Sequence, residues 1–385
     1  MNRERAFKGK NCGRISHVDR NSWNSCFPGE AEGHEYYTAC ETSLGASPMG
    51  AVCVSGSGRV VAVAPVFSMR FRLDASFQDG STVLARLRRA IAGRIHFPMV
   101  CVGSPFAERC HIGIRPDLDS SDRNAAIEAL IDTWEMRAQG QGVGLVAVKD
   151  VLGPAAEEIS RVLSERGYVR LPSLPVACLD LTGIRDVDGY LASLSSSTRR
   201  DLRRKLRSAV AVRVEDRHDI SQIAAELVEL YRSVREESQL DYGELEELPQ
   251  DYFVQVAHQL RERALFRLYW VGSTLAAFNL LLLEEGRIID KFLGMRYPLA
   301  REFNLYALSW VENVRLCLAR GVRILQTGQT AYREKIRLGS HLVPASIWFR
   351  HRGVIKHQVL RSLAPLASFD RNDPELGRTL REASV

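Results

Sequence analysis

Apolar residues along the chain recur with two periods, and the order in which those periods alternate sets the expected architecture. In the first half, alternation and short apolar runs predict strands at Gly50–Val54 and Arg59–Phe67, joined by a Ser-Gly-Ser-Gly tight turn. Further strands are expected at Met99–Val102, Cys110–Ile114, Val143–Val148 and Val176–Leu181. Pro65 should end or edge the second strand, because it cannot donate to a ladder. Helical spacing predicts helices over His34–Ser43, Thr82–Ile91, Asp122–Gly140 and Ala155–Arg166. Within Asp122–Gly140, Ala126, Leu130, Thr133, Trp134 and Arg137 trace an inner stripe, and Ser120 and Ser121 are ready N-caps.

The second half repeats the scheme. One or two helices over Asp188–Ala209 lead to a strand at Val212–Glu215, then helices at Ile220–Glu237 and Pro249–Ala264. Phe266–Val271 and Thr274–Glu284 form a hairpin across Gly272-Ser273, with Arg287–Gly294 as the next antiparallel strand. A helix over Leu305–Arg320 stops at Gly321, and strands follow at Val322–Gln326 and Ser346–Arg350. The fold class is therefore α/β, with mixed, largely antiparallel sheets flanked by helices in two tandem lobes. The expected boundaries are residues 1–183 and 184–367, with a polar tail at 368–385.

Composition narrows the class. At 385 residues the chain exceeds one ordinary core. No apolar run reaches the roughly 18–20 residues needed to span a bilayer. The start, from Met1 to Lys10, has no secretory pattern, so a cytoplasmic protein is expected. None of the eight cysteines forms a CxxC, and no histidine has zinc-ligand spacing, so structural cysteines and no metal are expected. The net charge of +6 is unevenly spread. Ser196–Arg217 holds eight Lys/Arg against three acids, whereas Glu226–Asp251 holds nine acids against two arginines. In the basic helix, Leu191, Leu194, Thr198, Leu202, Leu206 and Val210 form the buried stripe, leaving Arg199, Arg200, Arg203 and Arg204 to hold phosphate or RNA, or to pair with the acidic segment.

Three stretches carry a resemblance. The helix Tyr190–Arg207, the hairpin Leu268–Leu283 and the run Gly321–Gly339 (GVRILQTGQTAYREKIRLG) resemble the second lobe of the tandem-lobe branch of the GNAT acyltransferases, which includes the Fem-type aminoacyl transferases. Trp23-Asn24, VVAVAPVF and GSPFAERCHIG resemble its first lobe more loosely. The resemblance implies two tandem GNAT-like lobes with the active site in the second, moving an acyl or aminoacyl group to an amine. The donor would be acyl-CoA, an acyl-carrier phosphopantetheine or aminoacyl-tRNA, with no tightly bound cofactor. One departure bears on the donor: GNAT enzymes using free acyl-CoA carry a glycine-rich turn before the helix that follows the fourth strand. Here Met295–Tyr306 has no glycine, and side chains there would crowd a pyrophosphate away from the backbone.

On this reading Asp290 is the general base and Tyr332 the proton donor to the leaving group. Alternation places Ile288, Asp290 and Phe292 on one face of their strand, and an Asp290–arginine salt bridge is the competing account. Phe278, Asn279, Leu280, Arg296, Arg301, Asn304 and Lys335 are expected to hold the donor, with splayed strands near Phe278–Leu280 presenting backbone N–H to its carbonyl. Asp241, Tyr242 and Gln329 are expected to hold the acceptor. Ser104, Glu108, Arg109 and His111 cluster in the first lobe, but no Gly-x-Ser-x-Gly elbow supports a hydrolase, so that lobe is read as scaffold. Rival readings are a Fem-like tRNA-dependent transferase and a non-catalytic module binding RNA or a carrier protein. No DNA-binding motif is present. A monomer or homodimer is expected.

Overall fold

The computed structural model describes residues 7–44, 49–72, 96–153, 156–237 and 248–366. The chain divides into two compact units, one built on Met1–Pro175 with Pro344–Val385, the other on Val176–Leu240 with Leu248–Val343. The expected helix Thr82–Ile91 and the tail 368–385 lie outside the described residues.

The first unit contributes β1 (Lys8–Cys12), β2 (Gly50–Gly56), β3 (Arg59–Arg72), β4 (His96–Val102), β5 (Gly113–Ile114), β6 (Leu145–Val151) and β7 (Val169–Pro172). The second contributes β8 (Val176–Asp180), β9 (Val212–Arg217), β10 (Ala264–Val271), β11 (Thr274–Leu283), β12 (Arg287–Met295), β13 (Ile324–Gly328) and β14 (His341–Val343), after which β15 (Ser346–His351) follows. The sheet orders are β1-β2-β3-β4-β6-β15-β7, with β5 beside β3, and β14-β8-β13-β12-β11-β10-β9.

The last strand of each half is therefore an interior strand of the other half's sheet. β15 lies between β6 and β7, and β8 lies between β13 and β14. Local periodicity places Ser346–Arg350 in a strand but says nothing of its partner. Against expected boundaries of 1–183 and 184–367, the second unit therefore takes in β8 at its start and leaves β15 to the first unit at its end.

Pro65 does not end its strand. β3 runs through it, and Pro65 pairs with Ala51 of β2. On the other side, pairing passes from β5 at Ala62 and Val63 to β4 at Val66, so no partner strand needs an N–H at position 65.

In the first unit the helix Ser120–Gly140 starts at an Asp119 cap, whose side chain accepts from the Asp122 N–H. Its expected stripe of Ala126, Leu130, Thr133, Trp134 and Arg137 is buried throughout, against strand residues such as Val54, Val66, Val100 and Val146. In the second unit the helix Leu305–Ala319 covers one sheet face, packing Trp310, Val311 and Val314 on Leu265, Leu281 and Ile288. The other face carries an aromatic cluster in which Tyr231, Tyr252 and Phe253 meet Phe278 and Phe292. Burying each such side chain contributes about 2 kcal/mol.

The basic segment folds as two helices, Val187–Ser193 and Ser196–Ser208, and the Ser195 hydroxyl caps the second by accepting from the Thr198 N–H. Leu191, Leu194, Thr198 and Leu202 are buried as expected, but Val210 lies past the helix end and is 82% exposed.

Candidate active site

The second sheet opens at one place. β12 and β13 run parallel and pair only from Arg287 opposite Ile324 to Ile289 opposite Gln326. β12 then continues to Met295 along β11 alone, so its other edge, from Asp290 onward, is free of strand partners. The opening therefore lies beside β12, which corrects the expected position near Phe278–Leu280. Phe278, Asn279 and Leu280 sit on β11, paired with Leu268, Arg267 and Phe266 on one side and with Gly294, Leu293 and Phe292 on the other. All three are fully buried, and their backbone groups belong to the ladders.

Asp290 stands at the mouth of this opening, the first β12 residue beyond the last pair with β13. A bulge follows: Phe292 opposes Leu280, Asp290 opposes Leu281, and Lys291 is the extra residue. The bulge breaks the alternation read from the sequence. Asp290 faces the helix Leu305–Ala319, whereas Phe292 joins the aromatic cluster on the opposite face.

Two neutral amides hold the Asp290 carboxylate. The Asn279 Nδ2 donates to Oδ1 at 2.9 Å, and the Asn313 Nδ2 donates to Oδ2 at 3.0 Å. Asn279 and Asn313 are buried, so the carboxylate is oriented from below rather than by a surface contact. An ionised oxygen accepts more than one donor, so each keeps room for a further proton or hydrogen bond. The nearby cation is already engaged: Arg267 makes a bidentate pair with Asp216 at 2.7 and 2.8 Å and donates to the Glu312 carbonyl at 2.6 Å. Tyr269 is fully buried beside them, its hydroxyl without a hydrogen bond, as are the Oδ1 atoms of Asn279 and Asn313. Burial pushes the Tyr269 phenol well above its ordinary range, with Arg267 opposing the rise and Asp290 adding to it.

The other arm of the opening ends in strained backbone. Gly328, Thr330 and Ala331 all have positive φ, of 75°, 66° and 49°. For the last two this costs about 1–3 kcal/mol each. Tyr332, fully buried, is the first residue of the helix Tyr332–Arg337 that follows. Lys335 closes the turn, its ammonium donating to the carbonyls of Thr327, Gly328 and Gln329 at 2.5, 3.2 and 2.9 Å. That use of its three protons corrects the expectation that Lys335 offers a cation to a donor. Gln329, half-buried, sits in the same turn.

The glycine-free segment before the helix Leu305–Ala319 forms an extra helical turn, Leu299–Glu302. Asn304, immediately before the helix, adopts the left-handed conformation at φ 50°. Asparagine tolerates that region better than most residues, so a left-handed step is kept without glycine. Its Nδ2 donates to the Ser208 hydroxyl at 2.8 Å. Arg301 pairs with Glu237 and lies 5.3 Å above the Tyr297 ring, and Arg296 is half-buried.

On the basic helix, Arg204 pairs with Asp201 at 2.6 Å, Arg203 approaches Asp188 at 3.9 Å, and Arg199 donates to the Ala192 carbonyl at 3.3 Å. Arg200 is exposed. Asp201 also holds Arg337, so part of the basic face is satisfied within its own unit. Asp241 and Tyr242 lie outside the described residues.

The first-unit cluster is not a hydrolase site. The buried Ser104 hydroxyl accepts from the Phe106 N–H, and His111 bonds Tyr37 instead. The His111 Nε2 stands 3.3 Å from Glu30, which also pairs with Arg109. Burial pushes the Glu30 carboxyl upward, but His111 and Arg109 outweigh it and hold it at about 2.

The structure places Asp290 beside the opening and Tyr332 at the turn after β13, and it adds Arg267, Tyr269 and Asn313, which sequence reasoning did not single out. The available signal was polarity: each interrupts an apolar strand or helix where a polar group is costly unless held. Among the described residues, no helix is long and apolar enough to cross a membrane, and no cluster of His, Cys, Asp or Glu is placed to hold a metal.

A parallel strand pair open beyond its third residue, followed by a helix that returns to the second strand, defines a class. Residues 196–335 match the profile of the acetyltransferase (GNAT) domain. Among solved structures, FemX is similar at a TM-score of 0.60 and 12% identity, covering 90% of this chain and 99% of that one. The C-terminal domain of a lysylphosphatidylglycerol synthetase homologue from Agrobacterium fabrum gives 0.52 at 11% identity, covering 89% and 93%. A tandem GNAT protein from the clavulanic acid pathway gives 0.50 at 13%, covering 90% and 99%. Identities this low speak to fold alone. A Mycobacterium tuberculosis protein provisionally named 8-amino-7-oxononanoate synthase 2 is 25% identical over 244 residues, 60% of this chain, and the match spans only 30% of that relative's length. This chain has the tandem GNAT fold of the Fem type, and its second unit carries an acyltransferase domain of the GNAT class.

Proposed function

We propose that the second unit transfers an acyl or aminoacyl group from a thioester or ester donor to an amine, in specialised metabolism or cell-envelope biosynthesis. The observation that carries this reading is the free edge of β12 beyond Ile289. A strand edge without a ladder partner can present backbone N–H groups to the donor carbonyl as its oxygen gains charge, which is ordinarily the largest single contribution in acyl transfer. The acceptor nitrogen attacks the carbonyl carbon, the C–N bond forms, and the bond to sulfur or oxygen breaks. Asp290, directly or through water, takes the amine proton, and the two asparagines keep its carboxylate aimed. Tyr332 protonates the leaving group. Arg296 and Arg301 would meet a phosphate-bearing donor at the segment leading into the helix Leu305–Ala319, and Gln329 the acceptor.

A donor borne on tRNA or on a carrier's phosphopantetheine arm is favoured over free acyl-CoA by one observation, the absence of glycine from Met295–Tyr306, where a glycine turn would hold a pyrophosphate. The exposed arginines of Ser196–Ser208 would then meet RNA phosphate, with affinity falling steeply as salt rises. The test is turnover of an amine panel with acyl-CoA, acyl-carrier protein and aminoacyl-tRNA, with and without ribonuclease. Ribonuclease-sensitive transfer selects the tRNA donor, and transfer from a free thioester selects CoA. Binding without turnover of any donor would leave a non-catalytic module.

A further inference from the structure

The helix Val354–Leu363 belongs to the first unit and buries none of its own residues. Its apolar side chains nevertheless form a stripe. Ile355, Val359 and Leu363 recur every four residues, one above another on one helix face, and are 81%, 52% and 41% exposed. Val354, at 75% exposed, stands beside the stripe, about 100° round the helix from Ile355. These are four of the six large apolar side chains that stand exposed among the described residues. Scattered singly they would mean nothing, but gathered on one ten-residue helix they make an uncovered apolar face.

The charges within the helix's own stretch of chain are of one sign. Between Ser346 and Phe369 there are four Lys/Arg and no Asp or Glu. Arg350 is paired with Glu135 at 2.7 Å. Arg352, Lys356 and Arg361 are exposed, with no ion-pair partner among the described residues. His357, packed on the Phe349 ring, is depressed below its ordinary range first by burial and then by Arg350, Arg361 and His351.

We infer that the helix Val354–Leu363 is a docking face for an anionic lipid bilayer, lying in the interface with Ile355, Val359 and Leu363 inserted and Arg352, Lys356 and Arg361 on the headgroups. An apolar stripe flanked only by cations suits such a surface, where acyl chains take the stripe and anionic headgroups take the charges. A second copy suits it less, because two such faces would bring their cations together with no acid between them. This inference is independent of the transfer chemistry, since none of these residues lies in the second unit.

The test is flotation of the full chain with vesicles of phosphatidylglycerol and phosphatidylcholine, against phosphatidylcholine alone. The expected result is binding to the anionic vesicles only, weakened by salt. Binding should fall on the order of tenfold in the double variant Ile355→Ser/Val359→Ser, and again in Lys356→Glu/Arg361→Glu. Unchanged melting temperatures would show that both variants fold, as exposed positions should. Absence of binding to anionic vesicles, or equal binding by wild type and both variants, overturns the inference. So does a lipid-independent dimer that the Ser variant dissociates, which would assign the face to a second copy. Binding that emerges only after residues 367–385 are removed would assign it to the tail.

Discussion

The two units use one sheet plan and differ at one joint. In the first, β4 and β6 run parallel and stay paired up to Val102, the last residue of β4. In the second, β12 and β13 part after Ile289, and six further residues of β12 continue without that neighbour. The polar residues follow the difference. In the first unit the buried Tyr37 and His111 bond each other, and His111 and the half-buried Arg109 both meet Glu30. The second unit's Asp290 is steered by two amides toward the place where the strands separate. In the first unit β4 does not outrun its parallel partner, whereas in the second the far end of β12 does.

The sharpest way to break this comparison is a pair of variants. Asp290→Asn should lower turnover roughly a hundred- to a thousandfold with unchanged melting, whereas Ser104→Ala in the first unit should leave turnover within about twofold. Equal losses in both would place chemistry in both units. Next, Lys335→Met should orphan three carbonyls and cost about 3 kcal/mol in denaturant unfolding, with little change in donor KM. A large KM effect at full stability would return Lys335 to donor binding.

The closed unit has an acid signature. The Glu30 carboxyl drops from an ordinary 4.5 to about 2 on folding, so its contribution is present above pH 4.5 and lost as pH falls toward 2. Glu30→Gln should remove about 2 kcal/mol at pH 7 and flatten the stability profile in that window. A comparable effect is expected at Gly294, where an added Cβ would lie 2.3 Å from the Phe278 ring and 2.9 Å from the Leu230 backbone. Gly294→Ala should therefore cost about 1–3 kcal/mol. Tyr332→Phe should slow turnover roughly tenfold, and a wild-type rate would remove its role as proton donor.

What could be read from the sequence was local. The stripe of Ser120–Gly140, the hairpin closing at Val271 opposite Thr274, and the left-handed Gly321 after its helix all follow from spacing and turn chemistry. What could not be read depends on partners distant in the chain. The bulge at Lys291 sends Phe292 to the face opposite Asp290, because the register against β11 shifts there, and simple alternation assumes no shift. Tyr332-x-x-Lys335 looked like a pair of chemical groups, yet the lysine proved to be a brace for strained backbone. Asp290 was legible because a carboxylate in an apolar strand is costly, but its asparagine holders needed the packing of a helix more than twenty residues away.

The placement of β15 has a consequence for how the molecule is made. The ribosome delivers the first unit's outer strand β7 long before residues 346 to 351, which must fill the gap between β6 and β7. The half that is synthesised first is therefore finished last, and a nascent chain stalled anywhere before His351 carries a sheet with a missing rung. A gene split at the midpoint would yield two fragments that each lack an interior strand and can be completed only by the other.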